Sequence, residues 1–444
     1  MTIKDWSVDS WQNFEAKQQP QYEDKNVLEK VLADISSLPP LVFAGEVKEL
    51  KKKLALAARG DAFILQGGDC AERFIDCNEE SISNKLKILL QMSMVLCYGL
   101  EKPIIHIGRI AGQYAKPRSA DSETVNGKSI PVYRGDIVNS IEATEEARKA
   151  DPTRIKDAYL FSAVTINYIR SLTMGGFADL NHPNAWSLDF EQNLKQSDTY
   201  QEVKNDILKA IHFIRSAGAN IDSLETIEFY TSHEGLVLGY EQALTKYIES
   251  ESQYYNLGAH ILWIGDRTRD LNGAHIEYFR GIANPVGMKV GPSMQADELV
   301  DICQKLNPSN EEGKIVLISR FGEEKIKQSL KPLVKALKDK NINVCWISDP
   351  MHGNTFKTEK GVKTRRFESI LNEIKSANSI LKDQGKELNG IHFELTGENV
   401  TECVGGSQGI TNECLTTNYK SYCDPRLNYS QSLEIAFLLS RLLN

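Results

Sequence analysis

Short apolar runs alternate with amphipathic stretches along most of the chain. Eight runs are rich in β-branched and aromatic residues, and each is almost continuously apolar before it ends in polar residues. They span 63–70, 104–112, 226–234, 260–269, 286–292, 315–322, 343–353 and 390–398. Such runs are typical of strands buried on both faces of a parallel sheet. The pattern therefore predicts eight parallel strands with polar residues at their carboxyl ends.

Amphipathic helical patterns lie between these runs, for example at 323–340 and 367–384. Regular alternation of strands and helices predicts βαβ units with right-handed crossovers. Eight such units indicate an α/β fold of the (β/α)8 TIM-barrel type, in which the active site lies at the carboxyl ends of the strands. A doubly wound open sheet is the alternative, but no GxGxxG follows the first strand and GxxxxGK[ST] does not occur.

The spacing of the runs also indicates how the chain is organised. Residues 113–225, between the second and third strands, form a gap too long for a bare loop. Helical patterns at 143–150, 155–172 and 200–218 predict a barrel helix and a helical insertion there. Residues 1–60 are interpreted as an N-terminal extension packed on the barrel, with a helix near 45–58, and 61–444 as a single catalytic domain.

Composition and charge narrow the range of functions. The net charge of −8 argues against a nucleic-acid-binding protein, which usually has a basic face. No stretch approaches the ~18 apolar residues of a membrane span. The first residues carry acidic side chains and no apolar core, unlike a targeting peptide. Eight cysteines without regular spacing suit a reducing compartment, so a cytoplasmic location is expected.

Metal-binding residue types occur at the ends of three strands that a closed barrel makes neighbours. Cys70 follows the first strand, His352 follows the seventh, Glu394 is in the eighth, and Asp424 lies downstream. A mixed sulfur, nitrogen and oxygen set suits Mn²⁺, Fe²⁺, Co²⁺ or Zn²⁺ better than Ca²⁺ or Mg²⁺. Each residue alone has an ordinary structural explanation, because a lone cysteine is usually a small core residue. Their combination favours a metal site.

Basic residues concentrate at the ends of the second, fourth, fifth and sixth strands. They are Arg109, Lys116, Arg118, Arg267, Arg269, Lys289 and Arg320, with Ser119 beside Arg118. Guanidinium groups bind phosphate and carboxylate in a bidentate manner, and lysine acts as a point charge. The ring therefore predicts a multiply charged anionic substrate, and two phosphorylated substrates are possible. Glu234 and Asp266 complete the ring and could orient arginines, bind water or act as bases. Glu72 and Arg73 are expected to pair locally.

Several motifs in this order resemble type II 3-deoxy-D-arabino-heptulosonate 7-phosphate synthase. They are GGDCAE, RIAGQYAKPRSAD, TSHEGLVLGYE, GDRTRDLNGAH, ANPVGMKVGP, DPMHGNT, FELTGENVTEC and CDPRLN, and they run from residue 67 almost to the end. The resemblance implies a decorated (β/α)8 barrel that condenses phosphoenolpyruvate with erythrose 4-phosphate and releases phosphate. This reaction is the entry to the shikimate pathway of aromatic amino acid biosynthesis. One divalent metal ion is implied, with Mn²⁺ expected ahead of Co²⁺, Fe²⁺ and Zn²⁺.

The resemblance also implies roles for individual residues. The metal ligands would be Cys70, His352, Glu394 and Asp424. Phosphoenolpyruvate would be bound by Arg109, Asp266, Arg267, Lys289 and Arg320. Erythrose 4-phosphate would be bound by Lys116, Arg118 and Ser119. Lys289 and Glu234 are the expected catalytic groups, with Lys289 as proton donor.

Asp266 departs from the family pattern, whereas Cys423 agrees with it. The family often has glutamate where this chain has Asp266, so the shorter carboxylate could reach its partner through water. Cys423 also resembles the family, and a Cys70–Cys423 disulfide under oxidation is a hypothesis. A homo-oligomer, dimer or tetramer, is expected, and small phosphorylated molecules are the expected partners.

Two other functions remain open from the sequence. Another phosphoenolpyruvate-using barrel enzyme, such as a 3-deoxy-octulosonate 8-phosphate synthase, could use the same ligand set. A non-catalytic metabolite-binding barrel is the second alternative, although the complete ring of ligand and anion-binding residues argues against it.

Overall fold

The computed structural model describes residues 6–125, 127–175 and 227–444, together with 202, 204–206, 208 and 209. Strands and helices are numbered within this part of the chain. The strands are β1 (Phe63–Gly68), β2 (Ile104–Arg109), β3 (Ser122–Val125), β4 (Lys128–Pro131), β5 (Phe229–Glu234), β6 (Thr245–Ile248), β7 (Gln253–Asn256), β8 (Ile261–Ile264), β9 (Val286–Val290), β10 (Ile315–Ser319), β11 (Cys345–Ser348), β12 (Thr355–Lys357), β13 (Lys363–Arg365) and β14 (Gly390–Glu394).

The helices flank these strands and join them. They are α1 (Lys25–Ser37), α2 (Ala44–Ala58), α3 (Glu79–Leu100), α4 (Thr153–Met174), α5 (Leu238–Ala243), α6 (Ala274–Phe279), α7 (Ala296–Leu306), α8 (Ile326–Asp339), α9 (Phe367–Asp383) and α10 (Tyr429–Leu442). In the described residues, no helix has the length and apolar character needed to cross a membrane.

Eight of the strands form a closed parallel barrel in the order β1-β14-β11-β10-β9-β8-β5-β2. Each of the eight apolar runs contains one of these strands, so the prediction of a (β/α)8 barrel is confirmed. The remaining strands pair as three antiparallel hairpins outside the barrel.

Alternating side chains of the barrel strands build two separate apolar layers. Ile64 on β1 and Ile347 on β11 belong to the inner cluster, whereas Leu65 packs in the outer cluster against the helices. Helix α2 adds Leu50 and Leu54 to the inner cluster. Because these residues are fully buried, α2 closes one end of the barrel interior and leaves the other end for the site.

The strand register aligns the polar ends predicted from the sequence. Gly68 at the end of β1 lies opposite Arg109 on β2 and opposite Glu394 on β14. Arg109 in turn lies opposite Ser232 on β5. Functional residues far apart in sequence therefore reach the same edge of the barrel.

The predicted helices have mixed outcomes. Patterns at 45–58, 155–172, 323–340 and 367–384 correspond to α2, α4, α8 and α9. The pattern at 143–150 was wrong, because this segment forms turns and bends. It wraps around the buried Arg148, whose guanidinium donates to the carbonyl oxygens of Ile141 and Glu142. An eight-residue helix is also marginal by itself. Most of the pattern at 200–218 lies outside the described residues.

Candidate active site

A cavity of about 460 Å³ opens at the carboxyl ends of the barrel strands. Twelve of the thirteen site residues predicted from the sequence line it: Cys70, Arg109, Lys116, Arg118, Ser119, Glu234, Asp266, Arg267, Lys289, Arg320, His352 and Asp424. The thirteenth, Glu394, is fully buried and contacts Arg109 and His352. The structure therefore brings the whole predicted set together.

Three of the four predicted metal ligands form one compact group, and the fourth, His352, contacts one of them. Ligand atoms of Cys70, Glu394 and Asp424 all lie within 4.8 Å of one another. The Cys70 Sγ is 3.4 Å from Asp424 Oδ2, and the His352 Nε2 is 3.0 Å from Glu394 Oε1. His352 is further oriented by Asp349, whose Oδ2 lies 2.7 Å from its Nδ1. A carboxylate that orients a histidine in this way is common beside metal-binding histidines.

The electrostatics of this group fit a bound cation. Burial would raise the pKa of Glu394, but His352 and Arg365 hold that pKa well below its usual value. Burial also opposes ionisation of Asp424, whose pKa is nevertheless lowered by Lys116. Both carboxylates are therefore anionic although they are buried. Burial, a hydrogen bond with Cys423 and the charge of Glu394 raise the pKa of the Cys70 thiol, so a metal would be needed to hold it as thiolate.

The donor set consequently fits a divalent metal of borderline character. One thiol, one imidazole and two carboxylates correspond to the ligand preferences of Mn²⁺, Fe²⁺, Co²⁺ and Zn²⁺. Cys70 and Cys423 are both free thiols in this structure. The disulfide between them stays a prediction.

Asp266 accepts hydrogen bonds from two arginine side chains, one of which lines the cavity. Its Oδ2 accepts a hydrogen bond of 3.0 Å from Arg320 Nη1, and its Oδ1 accepts one of 3.0 Å from Arg269 Nε. Arg269 is turned toward Glu298 and is a structural partner rather than part of the cavity wall. Arg267 instead donates to Ser119 Oγ at 2.8 Å. Asp266 therefore orients Arg320, and its neighbour Arg267 reaches the segment that follows β2.

Lys289 lies in the barrel interior beneath the cavity. Its ammonium pairs with Asp349 and lies 3.0 Å from His392 Nε2. Burial, only partly opposed by Asp349, lowers the pKa of Lys289 to about 8. An amine with this pKa can exchange a proton near neutral pH.

His392 holds two of the cations in place. Burial and the charges of Lys289 and Arg109 keep its pKa well below the usual value, so the ring is neutral. Its Nε2 accepts from Arg109 and Lys289, and its Nδ1 donates to Gln66 Oε1 at 2.8 Å. The Gln66 amide donates in turn to Ser232 Oγ at 2.9 Å. These successive hydrogen bonds determine which ring nitrogen of His392 carries the proton.

The lysine of the KPRS motif lies among the predicted metal ligands. Lys116 contacts both Cys70 and Asp424, and the charge of Asp424 raises its pKa despite the burial that lowers it. Arg118 and Ser119 are farther out along the wall, and the backbone N–H of Arg118 donates to Gln18 Oε1 at 2.8 Å. The motif therefore extends from the predicted metal ligands to the exposed Ser119.

Two carboxylates near the cavity differ in their surroundings. Burial raises the pKa of Glu234, whose Oε1 has no hydrogen-bond partner among the residues that the structure describes. Glu72 does not pair with Arg73 as expected. Its carboxylate accepts from the backbone N–H groups of Ala111, Gly112 and Gln113 at 2.9–3.0 Å. Ala111 has φ +63°, so consecutive N–H groups converge on this carboxylate.

Sequence reasoning missed three buried groups that contact the site. Asp349 orients His352 and Lys289, His392 orients Arg109 and Lys289, and Arg365 pairs with Glu394 at 2.7 Å. Asp349 stands in a motif already noted, directly after a strand, and that position could have revealed it. Arg365 is on the β12–β13 hairpin, for which the sequence carried no strand signal.

Comparisons with known proteins agree with this geometry. A model of the class-II DAHP synthetase family matches residues 6–440. The phospho-2-dehydro-3-deoxyheptonate aldolase of Streptomyces coelicolor is 46% identical over 433 residues, covering 98% of this chain and 96% of the relative. The protein of the same name from Neurospora crassa is 45% identical over 452 residues, covering 98% and 94%.

Proposed function

The chain belongs to the class-II DAHP synthetase family and condenses phosphoenolpyruvate with erythrose 4-phosphate, and we propose that it does so with the residues that surround the barrel cavity. The products are 3-deoxy-D-arabino-heptulosonate 7-phosphate and inorganic phosphate, in the first step of the shikimate pathway. The observation that carries the proposal is the meeting of one metal-ligand group and one cationic wall in a single cavity.

Cationic residues on the inner wall would bind phosphoenolpyruvate. Arg109, Lys289 and Arg320 would neutralise its phosphate and carboxylate charges, while Arg267 would reach the same anion from the β8 end. Asp266 would act by orienting Arg320. Fixed positive charge in a buried cavity stabilises such an anion more than the same charge in water does.

Residues closer to the mouth would bind erythrose 4-phosphate. Arg118 and Ser119 would contact its phosphate, and Lys116 would lie near its aldehyde end, because this lysine is close to the proposed metal ligands. The two substrates would then face each other across the cavity. Such positioning converts a reaction between two molecules into an effectively intramolecular one.

The chemistry requires a carbon–carbon bond, a proton transfer and addition of water. The enol carbon of phosphoenolpyruvate attacks the aldehyde carbon, water adds to the resulting cationic carbon, and phosphate leaves. Lys289 is the proposed proton donor. Glu234 would hold or deprotonate the water, because one of its oxygens lacks a partner in the described chain. A metal held by Cys70, His352, Glu394 and Asp424 would supply Lewis acidity toward the aldehyde oxygen.

A phosphate-release assay tests the substrate assignment. With phosphoenolpyruvate and Mn²⁺ present, we expect rapid phosphate release with erythrose 4-phosphate and at least about tenfold slower release with arabinose 5-phosphate. The reverse preference would identify the octulosonate-type enzyme. Absence of release with every sugar phosphate, in metal-restored protein that still binds phosphoenolpyruvate, would indicate a non-catalytic barrel.

The catalytic efficiency of the enzyme with phosphoenolpyruvate, kcat/KM, is expected to fall at alkaline pH. Lys289 is protonated below its pKa of about 8 and neutral above it. We therefore expect kcat/KM for phosphoenolpyruvate to fall about tenfold for each pH unit above 8, when it is measured at saturating erythrose 4-phosphate and Mn²⁺.

The Asp349→Asn variant tests whether Lys289 causes the fall of kcat/KM above pH 8, which is the alkaline limb of the pH profile. The charge of Asp349 raises the pKa of Lys289, so its removal should move the limb to lower pH. A limb at the same pH in this variant would show that another group titrates.

Four further assignments are proposals. Mn²⁺ is the proposed metal, and the active form is a homo-oligomer. Residues 1–60 and a segment within 113–225 are proposed as additions to one catalytic domain spanning 61–444. The free state of all eight cysteines is compatible with the cytoplasm, the proposed compartment.

A further inference from the structure

A buried carboxylate lies behind the active site, on the outer helix α9. Glu373 is fully buried and does not line the cavity. Its Oε1 accepts a hydrogen bond of 2.8 Å from the backbone N–H of Phe321, and its Oε2 accepts one of 2.7 Å from Asn354 Nδ2. Phe321 directly follows Arg320, and Asn354 lies two residues beyond His352. One carboxylate thus joins the loop after β10 to the loop after β11.

The amide of Asn354 has a fixed orientation. Its Nδ2 also donates to the carbonyl oxygen of Pro350 at 2.7 Å, and its Oδ1 accepts from the backbone N–H of Glu323 at 2.9 Å. The group facing Glu373 must therefore be the NH₂ side of the amide. An acceptor is required at residue 373, and a second donor there would repel this NH₂ group.

The two loops also touch directly. Arg320 Nη2 donates to the carbonyl oxygen of His352 at 3.2 Å. Gly322 has φ +82°, and a Cβ added there would lie 2.6 Å from the carbonyl oxygen of Gly353. Because the backbones meet this closely, a displacement of one loop must move the other.

Packing alone does not explain a carboxylate at this position. The buried residues nearest to Glu373 on α9 are apolar: Ile370, Ile374 and Ala377. Burying a carboxylate is unfavourable unless its hydrogen bonds are satisfied. Burial raises the pKa of Glu373 to about 7, while hydrogen bonds from the backbone of Phe321 and Gly322 lower it. The bonds that offset the burial all run to the two active-site loops.

We propose that Glu373 is a positioning residue that holds Arg320 and His352 in a fixed mutual geometry and thereby couples phosphoenolpyruvate binding to metal binding. The inference rests on the proposed roles of Arg320 and His352. Loss of the Glu373 bonds would shift both loops, whereas the KPRS segment on another part of the barrel would keep its position. Metal and phosphoenolpyruvate affinities should therefore fall together, and erythrose 4-phosphate binding should not.

The isosteric variant Glu373→Gln tests the coupling. The glutamine retains an acceptor for one loop but places an NH₂ group against a donor of the other. We expect the Kd for Mn²⁺, measured by calorimetry on chelator-treated protein, to rise about tenfold, as is typical when a group supporting a metal ligand is lost. KM for phosphoenolpyruvate should rise several-fold, and KM for erythrose 4-phosphate should stay within about twofold.

Two further variants distinguish loss of the proposed coupling from a general loss of stability. Glu368→Gln makes the same change on the exposed side of α9 and should behave as wild type. Asn354→Ala breaks the same link from the other loop and replaces Glu373→Gln if that variant does not fold. A lowered melting temperature with unchanged Mn²⁺ Kd and unchanged KM for phosphoenolpyruvate would overturn the inference.

His352→Ala in the same titration tests the underlying ligand assignment. Weakened Mn²⁺ binding in this variant supports the assignment, so that a negative result for Glu373→Gln then counts against the coupling alone. Wild-type Mn²⁺ binding by His352→Ala would overturn the ligand assignment, and with it the inference.

Discussion

Cys70→Ala should lose metal-dependent turnover by about a thousandfold. The thiol is 3.4 Å from Asp424 Oδ2 and belongs to the compact group that includes Glu394. A metal acting as Lewis acid contributes several kcal/mol to the transition state, and ~4 kcal/mol corresponds to about a thousandfold in rate. Phosphate release measured across a Mn²⁺ titration would show whether added metal restores the rate.

Cys97→Ala is the matched control, because it removes an exposed thiol far from the cavity. This variant should keep the wild-type rate and Mn²⁺ dependence. A Cys70→Ala enzyme with near-normal turnover would show that the thiol is not a metal ligand and would discredit the proposed set. Rescue at high Mn²⁺ would instead indicate weakened affinity with the remaining three ligands intact.

Arg365→Met should destabilise the fold as well as the site. The guanidinium is fully buried, donates to Glu394 Oε2 at 2.7 Å and also donates to the carbonyl oxygen of Pro425. Removing one member of a buried ion pair typically costs about 3–5 kcal/mol, because the other charge stays buried with less compensating charge around it. The free energy of unfolding from urea denaturation of metal-free protein should fall by about this amount.

Arg366→Met provides the neighbouring comparison. Arg366 is exposed and lies 4.3 Å over the ring of Phe356, a contact worth about 1 kcal/mol or less. Equal losses of stability in the two variants would show that the buried pair with Glu394 contributes no more to the free energy of unfolding than the exposed contact of Arg366. A stable Arg365→Met protein would contradict the prediction directly.

The barrel could be predicted because its strands are unusually uniform. A strand covered on both faces must be apolar at nearly every position, and the run containing Ile315 and Leu317 shows this clearly. The ring of site residues followed from the same geometry, since parallel strands deliver their carboxyl ends to one edge. The residue roles inside that ring came from the resemblance of the motifs to a known family.

The supporting residues could not be predicted because their partners are distant in sequence. His392 stands inside an apolar run and appears as one polar residue of a strand, yet it contacts Arg109 across the barrel. Glu373 occupies a helix with many exposed polar residues, and its burial depends on how two loops fold over α9. The segment 143–150 has a helical composition, but the carbonyl groups around Arg148 are used in a turn.

The contact between Cys70 and Asp424 joins positions 354 residues apart. A ribosome must therefore synthesise the chain as far as Asp424 before the proposed metal ligands are complete, and a chain truncated upstream of this residue would lack one of them. Closing so large a loop late also favours slow maturation, because distant contacts form only after much of the chain entropy is lost. Metal supplied during translation should consequently bind with full affinity only after Asp424 has been made.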